Sequence, residues 1–352
     1  MGTPLRPEPR VSIASRVEQN WSAWSDGPDE MPDTSPYGLD RLAGELGGGA
    51  TRFVEYPRPA PLQLLRQLLG RSGDRRAPAD EVLLAWDEMT ARRMLLPSHG
   101  ELQASGVIWA TDRRPGAAWR LEQAITRRIL RRFDMLFCLV PEQVAAIRRW
   151  IGSGGPDVEY LKFGIDHRFW SSAPPPVAPL VMSAGSDRDR DHRLLAEVLA
   201  AFVDARPSCE VVVQANDAVA MPAGVTRVAR MPPRDLGSLY HRASAVLVLT
   251  RENIHGSGMT VALEAQSSGR PVVVSATAGM DQYVEHGVTG LLVPPGDKDA
   301  ALEALFRLVD HPDEAAEMGR RGRARVEQQH TTDLMISDLA KLLTKGSRLR
   351  SS

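Results

Sequence analysis

Between His255 and Gly269 the chain reads HGSGMTVALEAQSSG. Gly256 and Gly258 lack a Cβ, so an anionic group can come up against their backbone. An apolar-patterned stretch starts at once after them and reads as a helix closed by Gly269. A glycine loop that opens a helix presents unpaired N–H groups and the positive end of the helix dipole, which suits a phosphate. Gly256, Ser257, Gly258, Met259 and Thr260 therefore form a candidate phosphate cradle. Glu264 falls about one and a half turns into this helix, and helical side chains lean toward the N-terminus. Its carboxylate can reach back to the loop and accept two hydroxyls, as a ribose diol offers, each such bond worth about 1.5–3 kcal/mol. A solvated acid on an outer helix face is the other reading of Glu264.

A second piece, LVMSAGSDRDRDHRLLAEVLAAF, is a strand ending at Gly185, a loop with Arg188 and Arg190, and a helix starting near Asp191. Two arginines at a helix N-terminus make a clamp for a diphosphate. The alternating Asp187, Asp189 and Asp191 invite a calcium reading. That loop pattern needs glycine at its sixth position and an acid at its twelfth, where His192 and Val198 stand. Helix capping and local pairing with the arginines account for the aspartates, and no metal or other cofactor is expected.

These pieces need a scaffold. Short β-rich runs alternate with helical stretches along the 352 residues, which predicts parallel sheets with crossover helices in two domains. In the first half, strands are expected at RVSIAS, TRFVEY, EVLLAW, GVIWAT, DMLFCLV and VEYLKFG. Helices are expected near Tyr37–Leu46, Leu62–Leu69, Met89–Leu96, Gly116–Arg132 and Glu142–Ile151. SSAPPPVAP, from Ser171 to Pro179, reads as a linker. A second strand–helix series follows, with last helices from Ala300 to Asp310 and from Asp313 to about Leu343. The expected division is residues 1–170, a linker at 171–179, residues 180–328, and a C-terminal helix over 329–352 that crosses back to the first domain.

Net charge of -1 at neutral pH argues against binding nucleic acid through bulk charge. Cys138 and Cys209 lie in or beside strands of different halves and read as buried free thiols of a reducing compartment. No apolar leader and no run of about 18 apolar residues is visible, so the chain reads as cytoplasmic.

Taken together, the segments LEAQSSGRPVVVS, YVEHGVTGLLVPPGD and LGSLYHRASAVLVL resemble the C-terminal domain of retaining glycosyltransferases of the GT-B fold, family 4. The likeness is best from Leu180 to Gly296 and weakest before Leu136. It implies two doubly wound Rossmann-like α/β domains facing each other across a cleft, and sugar transfer from a nucleotide-diphosphate sugar to a glycan, lipid or small-molecule acceptor. Configuration would be retained by front-face attack, without a metal. The resemblance assigns Glu264 to the nucleotide ribose, Arg188 or Arg190 to the diphosphate, and Gly256–Thr260 to phosphate and sugar. The family's first glutamate is absent: Gly256 or, with a one-residue insertion, His255 takes its place, which makes His255 a candidate catalytic residue.

On the acceptor side the strand ends carry Asp87 with Glu88, and Asp112, the candidate catalytic-cleft residue whose other reading is a turn cap. Trp21, Trp24 and Tyr37 are acceptor-binding candidates, since aromatic faces stack on sugar rings. Gly116–Arg132 is a basic amphipathic helix, either a solvated arginine face or a peripheral contact with the inner membrane face. Two other functions compete: a nucleotide-sugar epimerase, for which Asp87, Glu88 and His99 are the available proton-transfer groups, and a non-catalytic nucleotide-sugar-binding protein.

Overall fold

The computed structural model describes residues 10–19, 21, 24, 31–58, 60, 81–94, 102–112, 116–216 and 219–351. The helix expected near Leu62–Leu69, and His99, lie outside these residues. The chain divides into two compact units, one of Met1–Asp26, Thr34–Lys162 and Asp333–Ser352, the other of Gly27–Asp33 and Phe163–Thr332.

The first unit is built on a six-stranded sheet of β1 (Arg10–Arg16), β2 (Thr51–Tyr56), β3 (Glu81–Ala85), β4 (Leu102–Gly106), β5 (Met135–Cys138) and β6 (Asp157–Tyr160), in the order β2-β1-β3-β4-β5-β6. Every pairing is parallel. Its core gathers Leu83, Ala85, Val107, Leu136, Cys138, Ile147 and Val158. The fourth strand is LQASG, not the expected GVIWAT. The N–H groups of Ile108 and Trp109 are taken by the Glu88 carboxylate at 2.8 Å each, so this apolar stretch leaves the ladder after Gly106. Cys138 and Cys209 are both buried and free, and burial pushes their thiols up, to about 12 and about 11.

The second unit carries β7 (Leu180–Ser183), β8 (Glu210–Gln214), β9 (Val225–Val228), β10 (Ala245–Val248), β11 (Val272–Ser275) and β12 (Gly290–Val293), in the order β12-β11-β10-β7-β8-β9. Runs such as AVLV and VVVS are buried throughout because helices cover both faces of a parallel sheet. The helix His192–Ala205 turns Leu194, Leu195, Val198, Leu199 and Phe202 inward, one apolar stripe of helical period. Asp191 caps it by accepting from the Leu194 N–H at 3.0 Å.

Ser171–Pro179, expected as a linker, lies within the second unit and has no helix or strand. The buried Arg270 side chain donates to the carbonyls of Ala173, Pro174 and His241 and ties it there. The long helix expected from Asp313 is two helices, Pro312–Gln329 and Thr332–Ser351. The break comes where the backbone of His330–Thr332 pairs with Ile165 instead of continuing the helix: Ile165 donates to the His330 carbonyl at 2.8 Å and Thr332 to the Ile165 carbonyl at 2.9 Å.

Candidate functional site

Strands β7 and β10 are hydrogen-bonded neighbours from which the chain runs to opposite edges of the second sheet. In doubly wound sheets the ligand crevice opens outside the carboxyl ends of such a strand pair. The loops leaving these two ends are Ala184–Asp191 and Leu249–Gly258, the arginine loop and the glycine loop of the sequence.

The loops are zipped together. Arg190 and Thr250 form an antiparallel bridge, with Asp191 donating to the Leu249 carbonyl at 2.9 Å and Arg251 to the Asp189 carbonyl at 2.8 Å. Asp187 is the hub. Its Oδ1 accepts from Ser257 Oγ at 2.7 Å and from the Asp189 N–H at 2.9 Å, with His255 Nε2 at 3.3 Å. Burial pushes the Asp187 carboxyl up, but the bonds from His255, Ser257 and Asp189 outweigh it and hold the group well below the usual carboxylate range. Asn253 completes the brace by accepting from the Ser257 N–H at 3.0 Å.

The two candidate arginines behave differently. Arg188 is partly exposed and lies beside Asp189, Nε to Oδ2 at 3.3 Å. Arg190 is 4% exposed, and its guanidinium donates through Nη2 to the Ala184 carbonyl. Its Nη1 is buried and has no partner among the described residues. A Cβ added to Gly185 would meet this guanidinium at 3.3 Å, and one added to Gly258 would lie 3.6 Å from Nη1. The guanidinium is thus packed between two residues without side chains, with a free donor beside the helix Met259–Ser267 at its positive end. Burial lowers its pKa to about 10, against the opposing influence of Tyr240 and Asp187, so it stays charged at neutral pH.

Gly258 cannot be exchanged at will. Its φ is +93°, and a Cβ there would lie 2.5 Å from Val248 Cγ1. Gly258→Ala is therefore expected to lower stability by roughly 1–3 kcal/mol, readable as an earlier urea midpoint. An unchanged midpoint would show that the loop can relax.

Glu264 lies on the same helix, one turn beyond Val261, whose side chain packs against Gly185. Positions three apart share a helix face, so Glu264 points to the side of the arginine loop. Its Oε2 accepts from the Tyr240 hydroxyl at 2.8 Å. Burial pushes its carboxyl up to about 7, with the Tyr240 bond opposing. Tyr240 and its role escaped the sequence, where nothing links LGSLYHRA to a residue 24 positions on.

In the first unit, β1 and β3 are the neighbours from which the chain runs to opposite edges. Asp87, after β3, caps the helix Glu88–Ala91 and pairs with Arg16 at the end of β1, Nη2 to Oδ2 at 3.4 Å. Tyr37 holds a left-handed φ of 58° and stacks on Trp86, ring centres 4.5 Å apart. Trp21 meets Tyr37 and Phe53 edge-on and is buried, so its ring is part of this packed cluster. Trp24 is half-buried and donates its N–H to the Trp21 carbonyl. Asp112 stands in the loop after β4, in a turn onto the Trp109 carbonyl. That loop is held by Glu88 from one side and by Gln143, which donates to the Ile108 carbonyl at 2.7 Å, from the other.

Burial and the neighbouring Asp87 push Glu88 up to about 7 from an ordinary 4.5. The sign follows: the folded protein holds this proton between those values, so wild-type stability falls as pH rises from 4.5 to 7. Glu88→Gln should flatten that slope, by at most about 3 kcal/mol. Denaturant unfolding at several pH values checks it, and an unchanged slope would refute it.

In the basic helix Ala117–Leu130, Leu121 is 64% exposed. Arg127 donates to the Ile151 carbonyl, joined from just beyond the helix by Arg131, so both cap the helix Pro141–Ile151. No helix of the described residues is long and apolar enough to cross a membrane.

Residues 215–325 match the family model described as Glycosyl transferases group 1. That span holds the glycine loop, Tyr240 and Glu264, and stops short of Arg190. A D-inositol 3-phosphate glycosyltransferase of Gordonia bronchialis is 33% identical over 122 residues, 34% of this chain and 26% of the relative. The chain thus spans about a quarter of that relative's length. Among solved structures, sucrose-phosphate synthase from Thermosynechococcus elongatus aligns with TM-score 0.69 and 16% identity, covering 98% of this chain and all of that one. Anabaena Alr3699/HepE, solved in complex with UDP and glucose, aligns with TM-score 0.67 and 13% identity over 95% of this chain and 99% of that one. The fold is GT-B: two six-stranded parallel α/β units.

Proposed function

We propose that the protein is a retaining glycosyltransferase of family 4 that moves a sugar from a nucleoside-diphosphate sugar to an acceptor hydroxyl. The observation that carries this reading is Arg190: a buried, charged guanidinium with an unpartnered Nη1, wedged between Gly185 and Gly258 beside a helix N-terminus, at the switch point of a doubly wound sheet. Such a group suits a diphosphate, and Glu264 on the same helix face suits the ribose of the attached nucleoside. The bond from the anomeric carbon to the leaving phosphate oxygen breaks while a bond to the acceptor oxygen forms on the same face. The acceptor proton passes to the departing phosphate. Arg190 and the helix N-terminus stabilise the charge that develops there, so no metal is called for.

With a one-residue insertion His255 takes the place of the family's first glutamate, where Gly256 falls without it, and the Asp187 contact would orient the His255 ring. Asp87 and Tyr37, in the loops that follow strands of the first sheet, are assigned to the acceptor side with Trp21 and Trp24, and Asp112 is assigned as a catalytic residue. The curated relative's name supports an acceptor bearing several hydroxyls. A thermal-shift panel of UDP, GDP, TDP and ADP tests the donor site, and a protein stabilised by none of them is not this enzyme. Product configuration by NMR tests retention, and full activity in excess EDTA tests metal independence.

A further inference from the structure

We propose that Tyr240 is the positioning residue of the donor site: it grips one oxygen of Glu264 so that the other faces the nucleoside diol. The proposal rests on the reading of Glu264 as the ribose acceptor and adds what holds it.

The helix Pro233–Arg242 brings Tyr240 under the helix that carries Glu264. Tyr240 is fully buried, and its ring meets Trp170 edge-on at 5.6 Å and 90°, so the ring has no room to swing. A phenol placed this way offers one O–H donor, and that donor is spent on Glu264 Oε2 at 2.8 Å. Oε1 accepts from no described residue. A carboxylate at the edge of a buried region has two costs: it must stay ionised, and its torsions must be frozen before a ligand can use it. The Tyr240 hydroxyl meets both, because it stabilises the ionised form and fixes the carboxylate plane. Burial and the Glu264 charge hold the Tyr240 phenol well above its ordinary range, with Arg190 opposing, so the phenol stays protonated and keeps its donor.

The test compares binding of UDP and 2′,3′-dideoxy-UDP, or the matching ADP or GDP pair if the panel selects that base, by wild type, Tyr240→Phe and Glu264→Gln. Wild type should prefer the ribonucleotide by ten-fold or more. In Tyr240→Phe that preference should shrink at least five-fold with dideoxy binding unchanged, and the pH midpoint of ribonucleotide binding should move up. An unchanged preference, or equal weakening of both ligands, overturns the proposal. If Glu264→Gln loses the preference while Tyr240→Phe keeps it, the ribose reading stands and only the positioning role falls. If wild type itself shows no preference, the ribose reading falls first. Global incorporation of 3-fluorotyrosine gives a second measurement that leaves the hydrogen bond in place: the more acidic phenol should move the midpoint down, and no movement overturns the proposal.

Discussion

Arg190→Met lowers turnover about 10²–10³-fold, the loss typical when one preorganised donor is removed from developing charge. Affinity for the nucleoside diphosphate should fall with it, by roughly 1.5–3 kcal/mol. The melting temperature should hold or rise, because the variant removes a buried charge whose folding cost methionine does not carry. Arg190→Lys should recover little, since the donors of an ammonium diverge from a single nitrogen and cannot span the Ala184 carbonyl and the Nη1 position as the planar guanidinium fork does. Arg188→Met is the control. Arg188 is partly exposed and already beside Asp189, so turnover should change by no more than about three-fold, as for removal of a screened surface charge. Steady-state kinetics with donor and a productive acceptor give the readout. If the two substitutions trade places, the diphosphate belongs to Arg188.

Glu264→Ala weakens nucleoside-diphosphate binding by roughly 2 kcal/mol or more, through loss of charged hydrogen bonds to two hydroxyls. The same residue makes binding pH-dependent. Only the ionised carboxylate accepts from both hydroxyls, and burial places its titration at about 7. Affinity should therefore be highest above pH 7 and fall as pH drops through it. The variant should lack this share of the pH dependence. Isothermal titration between pH 5.5 and 8.5 reads both effects, and a wild-type affinity flat across that range would separate Glu264 from the ligand.

Much of this was legible in the order of residues. Runs such as AVLV and VVVS predict buried parallel strands, and the glycine and arginine loops predict anion sites at helix starts, because each depends on neighbours a few positions apart. The same holds for Asp191, whose capping bond spans three residues. Other features were decided at long range. Which arginine is sequestered depends on Gly258, from a distant part of the chain, lying beside its Nη1. GVIWAT has every local mark of a strand, yet the strand ends at its first residue, because Glu88 from the preceding element takes the N–H groups of Ile108 and Trp109. A helix is expected to run on past His330, yet pairing with Ile165 stops it there. Periodicity and loop chemistry report the free energy of a segment with its own neighbours. Burial of a charge, and the choice of its one partner, is settled only when distant segments exclude water from it together.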